Sequence, residues 1–86
     1  MHPKTRSNVT VQQVGDESLV LDLETEQIHQ LNATAAWILS RCDGSNPVET
    51  IIRDFAETFA LAPETATRDV GAILEQLALI KVIDQG

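Results

Sequence analysis

The sequence predicts an α+β domain: an N-terminal three-stranded antiparallel sheet, then three helices, then a short terminal apolar segment. Two observations predict it. Between Val9 and Leu31, β-branched and apolar residues come in short runs with period-two alternation, separated by polar turn signals. From Asn32 onward the apolar positions recur at three- and four-residue spacing, the period of a helix with one buried stripe.

Residues 1–8 are polar and contain Pro3, and are expected to form a flexible tail, leaving 9–86 as a single domain. Val9–Val14 is rich in β-branched residues and reads as the first strand, and Gly15-Asp16 is a turn signal. Ser18–Leu23 reads as the second strand, with Leu19, Leu21 and Leu23 on one face. Glu24-Thr25-Glu26 is a polar connection, and Gln27–Leu31 reads as the third strand, completing a meander.

Asn32 is suited to cap a helix, because its side chain can accept from the first free amides. Leu31, Ala35, Ile38, Leu39 and Cys42 form the stripe of that helix, and Asp43-Gly44 is read as its close. Ser45 or Asn46 is expected to cap the second helix, with Pro47 at its first position and Val48, Ile51, Ile52, Phe55 and Phe59 as its buried face. The third helix is expected from about Glu64 to Leu79, with Ala66, Val70, Ile73, Leu74 and Leu77 as its stripe. Gly71 within it costs roughly 1 kcal/mol against alanine. Ile80–Ile83 is either the helix end or a short strand.

Length and composition narrow the function. A chain of 86 residues makes one domain with one modest core, built mainly from aliphatic side chains because only Trp37, Phe55 and Phe59 are aromatic. The net charge is −7, and of the six cations Lys4 and Arg6 lie in the first eight residues. Such a surface repels phosphate backbones and anionic membranes. A single cysteine, Cys42, excludes an internal disulfide, and no apolar run approaches a membrane span. The first eight residues lack the apolar stretch of a signal peptide, so the cytoplasm is the expected location.

Catalytic and cofactor signals are lacking. His2 lies in the expected tail, Cys42 falls on an apolar stripe, and His29 has no His or Cys partner at metal-ligand spacing. No glycine-rich phosphate loop occurs, so neither an enzyme nor a cofactor site is expected. Asp16-Glu17-Ser18-Leu19 resembles the Asp-Ser-Leu of acyl-carrier proteins, but there the serine starts a helix, whereas Ser18 opens a period-two run. A winged-helix regulator fits the element order. Its reading helix would be the third, which offers Arg68 beside Asp69 and near Glu64, where a groove-reading helix brings several cations.

The strand Gln27–Leu31 carries no lysine, proline or carboxylate, the usual protection of a sheet edge. As the last strand of a meander it offers a template for an added strand. Either an extended peptide occupies it, or another part of the chain or a twin chain covers it by dimerisation.

The run Leu19-Val20-Leu21-Asp22, then Ile28-His29-Gln30-Leu31-Asn32-Ala33-Thr34-Ala35-Ala36-Trp37-Ile38-Leu39, then Cys42-Asp43-Gly44, resembles the PqqD-like family. These are the pyrroloquinoline quinone biosynthesis protein D type domains, also called RiPP recognition elements. Leu31-Asn32, Thr34-Ala35-Ala36, Asp43-Gly44 and Ile51-Ile52 follow the family pattern in order and spacing, and the resemblance covers residues 9–83. The usual basic-Gly pair before the final segment is replaced by Leu79-Ile80-Lys81. The resemblance implies a winged-helix-like fold that binds the leader segment of a ribosomally synthesised precursor peptide and presents it to a modifying enzyme, often a radical S-adenosylmethionine (SAM) protein. It implies that the leader pairs with Gln27, Ile28, His29, Gln30 and Leu31 and lies against Arg68, Val70, Ile73, Leu74 and Leu77 of the last helix.

Overall fold

A computed structural model describes residues 2–84. In chain order the elements are β1 (Lys4–Thr5), β2 (Val9–Val14), β3 (Glu17–Asp22), β4 (Gln27–Leu31), α1 (Ala33–Ser40), α2 (Val48–Phe59), α3 (Pro63–Leu79) and β5 (Ile83–Asp84). The expected α+β order of sheet, three helices and apolar end segment is the one observed. β2, β3 and β4 form an antiparallel meander with β3 in the centre.

The β2–β3 hairpin closes over Gly15-Asp16, with Val14 opposite Glu17. Gly15 takes φ +62°, a value that suits glycine at the first position of a two-residue hairpin turn. In β3 the buried residues are Ser18, Val20 and Asp22. Val20 is fully buried in the helix-covered core, whereas Leu19 and Leu21 lie on the opposite face and Leu23 is exposed beyond the strand end. The leucines expected to mark one apolar face therefore mark the outward one.

Two polar side chains face inward because each has a partner. The Ser18 hydroxyl donates to Oε1 of Gln13 at 3.3 Å. Oδ1 of Asp22 accepts from Asn8 Nδ2 at 2.9 Å and from the amides of Glu24 and Thr25 at 2.9 and 3.2 Å. The carboxylate thus organises the turn into β4, and a buried polar group satisfied in this way carries little penalty.

α1 starts where expected. Asn32 is its cap, and Oδ1 accepts from the Ala35 amide at 2.9 Å. It ends at Ser40, four residues before Gly44, so Gly44 does not close the helix. Gly44 instead turns the connecting loop at φ +87°, where an added Cβ would stand 3.1 Å from the Lys4 side chain. α2 also departs from expectation. Pro47 is the cap position itself, while Ser45 and Asn46 bond to the Asp43 carboxylate and Asn46 also to the Arg41 carbonyl. α2 ends on Ala60 in the left-handed region without a glycine, and α3 begins on Pro63 at its first turn.

The core gathers Ile38 and Leu39 of α1, Ile51 and Phe55 of α2, Ala66, Val70, Leu74 and Leu77 of α3, and Val20, Val82 and Ile83. Trp37, Phe55 and Phe59 pack with ring centroids 4.7–5.8 Å apart and join α1 to α2. The segment expected as a flexible tail is instead held in place over its described residues. Lys4–Thr5 pairs with Ile83–Asp84, Pro3 is buried, and the Thr5 amide and hydroxyl both donate to the Cys42 carbonyl. The pairing joins residues some eighty positions apart, which local sequence patterns do not signal. Lys81 takes φ +61° in the turn before β5, a left-handed residue that ends α3 without a glycine.

The Asn8 bond, the largest cause, holds the Asp22 carboxyl below its usual value. The folded state therefore binds fewer protons than the unfolded chain just below the ordinary carboxylate range. Stability from this group is present above that range and is lost as pH falls through the folded value. Asn8→Ala should move the onset of acid unfolding to higher pH, a shift read by circular dichroism across an acid titration. An unchanged onset would show that Asn8 does not tune this group.

Candidate functional site: an open sheet edge beside a helical groove

β4 has one strand neighbour, β3, paired in unbroken register from Ser18↔Leu31 to Asp22↔Gln27. Among the described residues no strand pairs with its other side. No bulge, proline or charge interrupts this edge, so its outer amides and carbonyls are available to an added strand. Gln27, His29 and Leu31 share the helix-facing side with Asp22, Val20 and Ser18, and Ile28 and Gln30 face outward with Leu21 and Leu19.

Directly after β4, Asn32 turns the chain into α1 and places Thr34 at the mouth of a cavity of about 530 Å³. Phe55, Phe59 and Leu61 also line it, and α3 contributes Asp69, Ala72, Ile73 and Gln76. These four are spaced i, i+3, i+4 and i+7, so they form one stripe along α3. The core stripe, Ala66, Val70, Leu74 and Leu77, lies roughly a quarter turn away around the same helix. The cavity is walled by aromatic and aliphatic carbon with Thr34, Asp69 and Gln76 as its polar groups, and Asn32 alone separates the strand that carries the open edge from the helix that carries Thr34.

Of the residues expected from the sequence, Gln27, Ile28, His29, Gln30 and Leu31 form the edge, and Ile73 lines the groove. Val70, Leu74 and Leu77 are buried in the core and do not front the cavity. Arg68 projects into solvent beyond both stripes, 3.8 Å from Asp69 in an exposed pair that contributes little. Thr34, Phe59, Leu61, Asp69, Ala72 and Gln76 line the groove but were not among the expected contacts. The α3 stripe mixes acid, small, aliphatic and amide side chains, so it carries no hydrophobic periodicity to find it by.

The reactive groups are placed for structure. Burial, with a smaller contribution from the Asp43 charge, pushes the Cys42 thiol up to about 11, so it is protonated near neutral pH. Ser18 is buried and bonded to Gln13, which leaves no exposed hydroxyl for a phosphopantetheine arm. No group of three or more His, Cys, Asp or Glu that could hold a metal occurs among the described residues.

Fold and site together define a small α+β, winged-helix-like domain whose three-stranded sheet keeps one edge open where it leads into the first helix. The family model for coenzyme PQQ synthesis protein D (PqqD) matches residues 17–83, and the chain belongs to that family. Two solved structures share the fold. TbiB1 in complex with the TbiA(beta) leader peptide is 23% identical, over 96% of each chain, with a TM-score of 0.85. Lasso peptide synthetase B1 complexed with the leader peptide is 21% identical, over 98% of this chain and 99% of that one, with a TM-score of 0.86. The sequence matches no curated protein.

His29 is the one edge side chain with a defect. Its Nε2 is sealed from solvent without a hydrogen-bond partner among the described residues. An unsatisfied buried polar atom costs about 1–3 kcal/mol. His29→Leu should therefore raise stability by about 1–2 kcal/mol, several degrees of melting temperature in a domain this size. A lowered melting temperature would mean that the imidazole is bonded in solution.

Proposed function

We propose that this domain is a peptide-recognition module without catalysis of its own. It binds the leader segment of a ribosomally synthesised precursor peptide as a strand added to β4 and presents it, in the cytoplasm, to a modifying enzyme such as a radical SAM protein. One observation carries the reading: the unprotected edge strand Gln27–Leu31 is followed three residues on by Thr34, which lines a cavity walled by α2 and α3, so adjoining segments of chain offer backbone partners and a side-chain cavity. The family membership supports it, as do the leader peptides bound to TbiB1 and to lasso peptide synthetase B1.

The energetics suit the role. Each backbone hydrogen bond of an added strand contributes about 0.5–1.5 kcal/mol net. Each apolar side chain seated in the groove adds about 1.5–3 kcal/mol. Several bonds and two anchors, less the cost of ordering the peptide, leave roughly the 8 kcal/mol of a micromolar complex. The contact set is Gln27, Ile28, His29, Gln30 and Leu31 through their backbone, with Thr34, Asp69, Ala72, Ile73 and Gln76 in the groove. Val70, Leu74 and Leu77 support α3 from the core.

The test is fluorescence anisotropy with a labelled leader from a short precursor gene neighbouring this one. Ile28→Pro removes an amide and stiffens the edge strand; Ala72→Trp fills the groove from an exposed position. Each should weaken binding about tenfold or more, equivalent to about 1.4 kcal/mol. Unchanged affinity in both variants, with folding verified by their amide spectra, rejects the site. Salt-sensitive DNA binding by the unaltered protein would favour the winged-helix regulator instead.

A further inference from the structure

The sheet has a second free surface that the edge and groove do not use. Glu17, Leu19 and Leu21 of β3 point away from the helices, joined by Val14 of β2 and Ile28 of β4. Ile28 is 64% exposed and Leu23 62% at one end of this face, Val14 is 55% exposed at the other, and the half-buried Leu19 and Leu21 join them into an apolar strip. The surface is concave at one end. A cavity of about 320 Å³ opens between Leu21, Leu23 and Ile28, with Glu26 and Gln27 at its rim.

Charge decides what fits there. The whole segment 9–31 carries Asp16, Glu17, Asp22, Glu24 and Glu26 and neither lysine nor arginine. Asp22 is engaged by Asn8 and the turn amides, and Glu24 lines a small cavity with Lys81 and with Arg6, whose guanidinium pairs with Asp84 at 3.7 Å. Asp16 and Glu17 at the hairpin end and Glu26 at the other end of the apolar strip have no ion-pair partner among the described residues. A second copy would bring these same acids face to face, and nucleic acid or an anionic membrane would be repelled.

We propose that this outer face is a second docking surface, for a polypeptide partner that presents an apolar side chain flanked by lysine or arginine. It is independent of the leader-binding reading. β4 offers its backbone edge in the plane of the sheet and its Ile28 side chain normal to that plane. A strand added at the edge therefore leaves the outer face open, and the domain can hold two polypeptides at once.

The probe is the synthetic peptide Lys-Lys-Leu-Ser-Leu-Lys-Lys, titrated into the ¹⁵N-labelled full chain, beside the same peptide with glutamate for each lysine. The lysine peptide should move amide resonances of residues 17–28, weaken with added salt, and leave the groove residues Ala72 and Ile73 unmoved. Leu23→Ser and the double variant Glu17→Lys, Glu26→Lys should each lower its affinity about tenfold without altering leader binding. No shifts, shifts spread over acids throughout the chain, shifts centred on Ala72 and Ile73, equal binding of the glutamate peptide, or variants that bind as the unaltered protein does would each overturn the proposal.

Discussion

The Asn32 carboxamide is the hinge on which the arrangement depends. One residue separates the end of β4 from the start of α1, and that residue must leave an extended strand and satisfy the first turn of a helix. Its backbone is extended at φ −75° and ψ 174°, and its Oδ1 accepts both the Ala35 amide and the Thr34 hydroxyl at 2.9 and 3.0 Å. With so short a connection, the cap sets the angle between strand and helix. It therefore also sets where Thr34 stands in the lining of the cavity that α3 walls. An alanine there would weaken the cap by about 1 kcal/mol and loosen the geometry that joins edge to groove.

α3 serves two surfaces with one helix. Seventeen residues give it room for a core stripe and a groove stripe set about a quarter turn apart. Val70, Leu74 and Leu77 fix its position against α1, α2 and β5, and Ala72 and Gln76 are exposed on the cavity side. The aromatic triad couples the two, since Phe55 packs in the core and, with Phe59, lines the cavity. Ile73 does the same from α3, packing partly against the core while it lines the cavity.

Much of this was legible in the sequence, and the misreadings share one cause. The change of period at Asn32, the meander and the three helices follow from local spacing, and Gln27–Leu31 stands out as an unprotected strand by composition alone. The family resemblance indicates α3 and, through Ile73, one residue of its cavity stripe; Asp69, Ala72 and Gln76 keep no hydrophobic period by which to find them. The inner face of β3 was hidden for a related reason. Leu19 and Leu21 are more apolar than Ser18 and Asp22, yet the polar pair faces inward because Gln13 and Asn8, on the neighbouring strand and the segment before it, satisfy them. Pro3, Lys4 and Thr5 were read as tail because their partners, Cys42, Ile83 and Asp84, lie far along the chain. Hydrogen bonds of this kind overrule composition: one crosses a hairpin from Ser18 to Gln13, and the others join segments far apart in the chain.

The inverted face of β3 also explains why so small a domain leaves Leu19 and Leu21 only half-buried and Ile28 exposed beside them. Turning Val20 inward suffices to seal the core, because the helices supply the rest of the apolar volume. Leu19, Leu21 and Ile28 are then surplus to stability, and burying them by self-association is opposed by Glu17 and Glu26. Exposed apolar area on an acidic sheet is a poor bargain for solubility unless a cationic partner covers it. The same acids that discourage a twin chain would draw such a partner in, while the uncharged backbone edge beside them remains indifferent to the charge of the peptide it pairs with. Charge on one surface and none on the next give the sheet two faces that differ in physical character, one electrostatic and one made of backbone hydrogen-bonding groups.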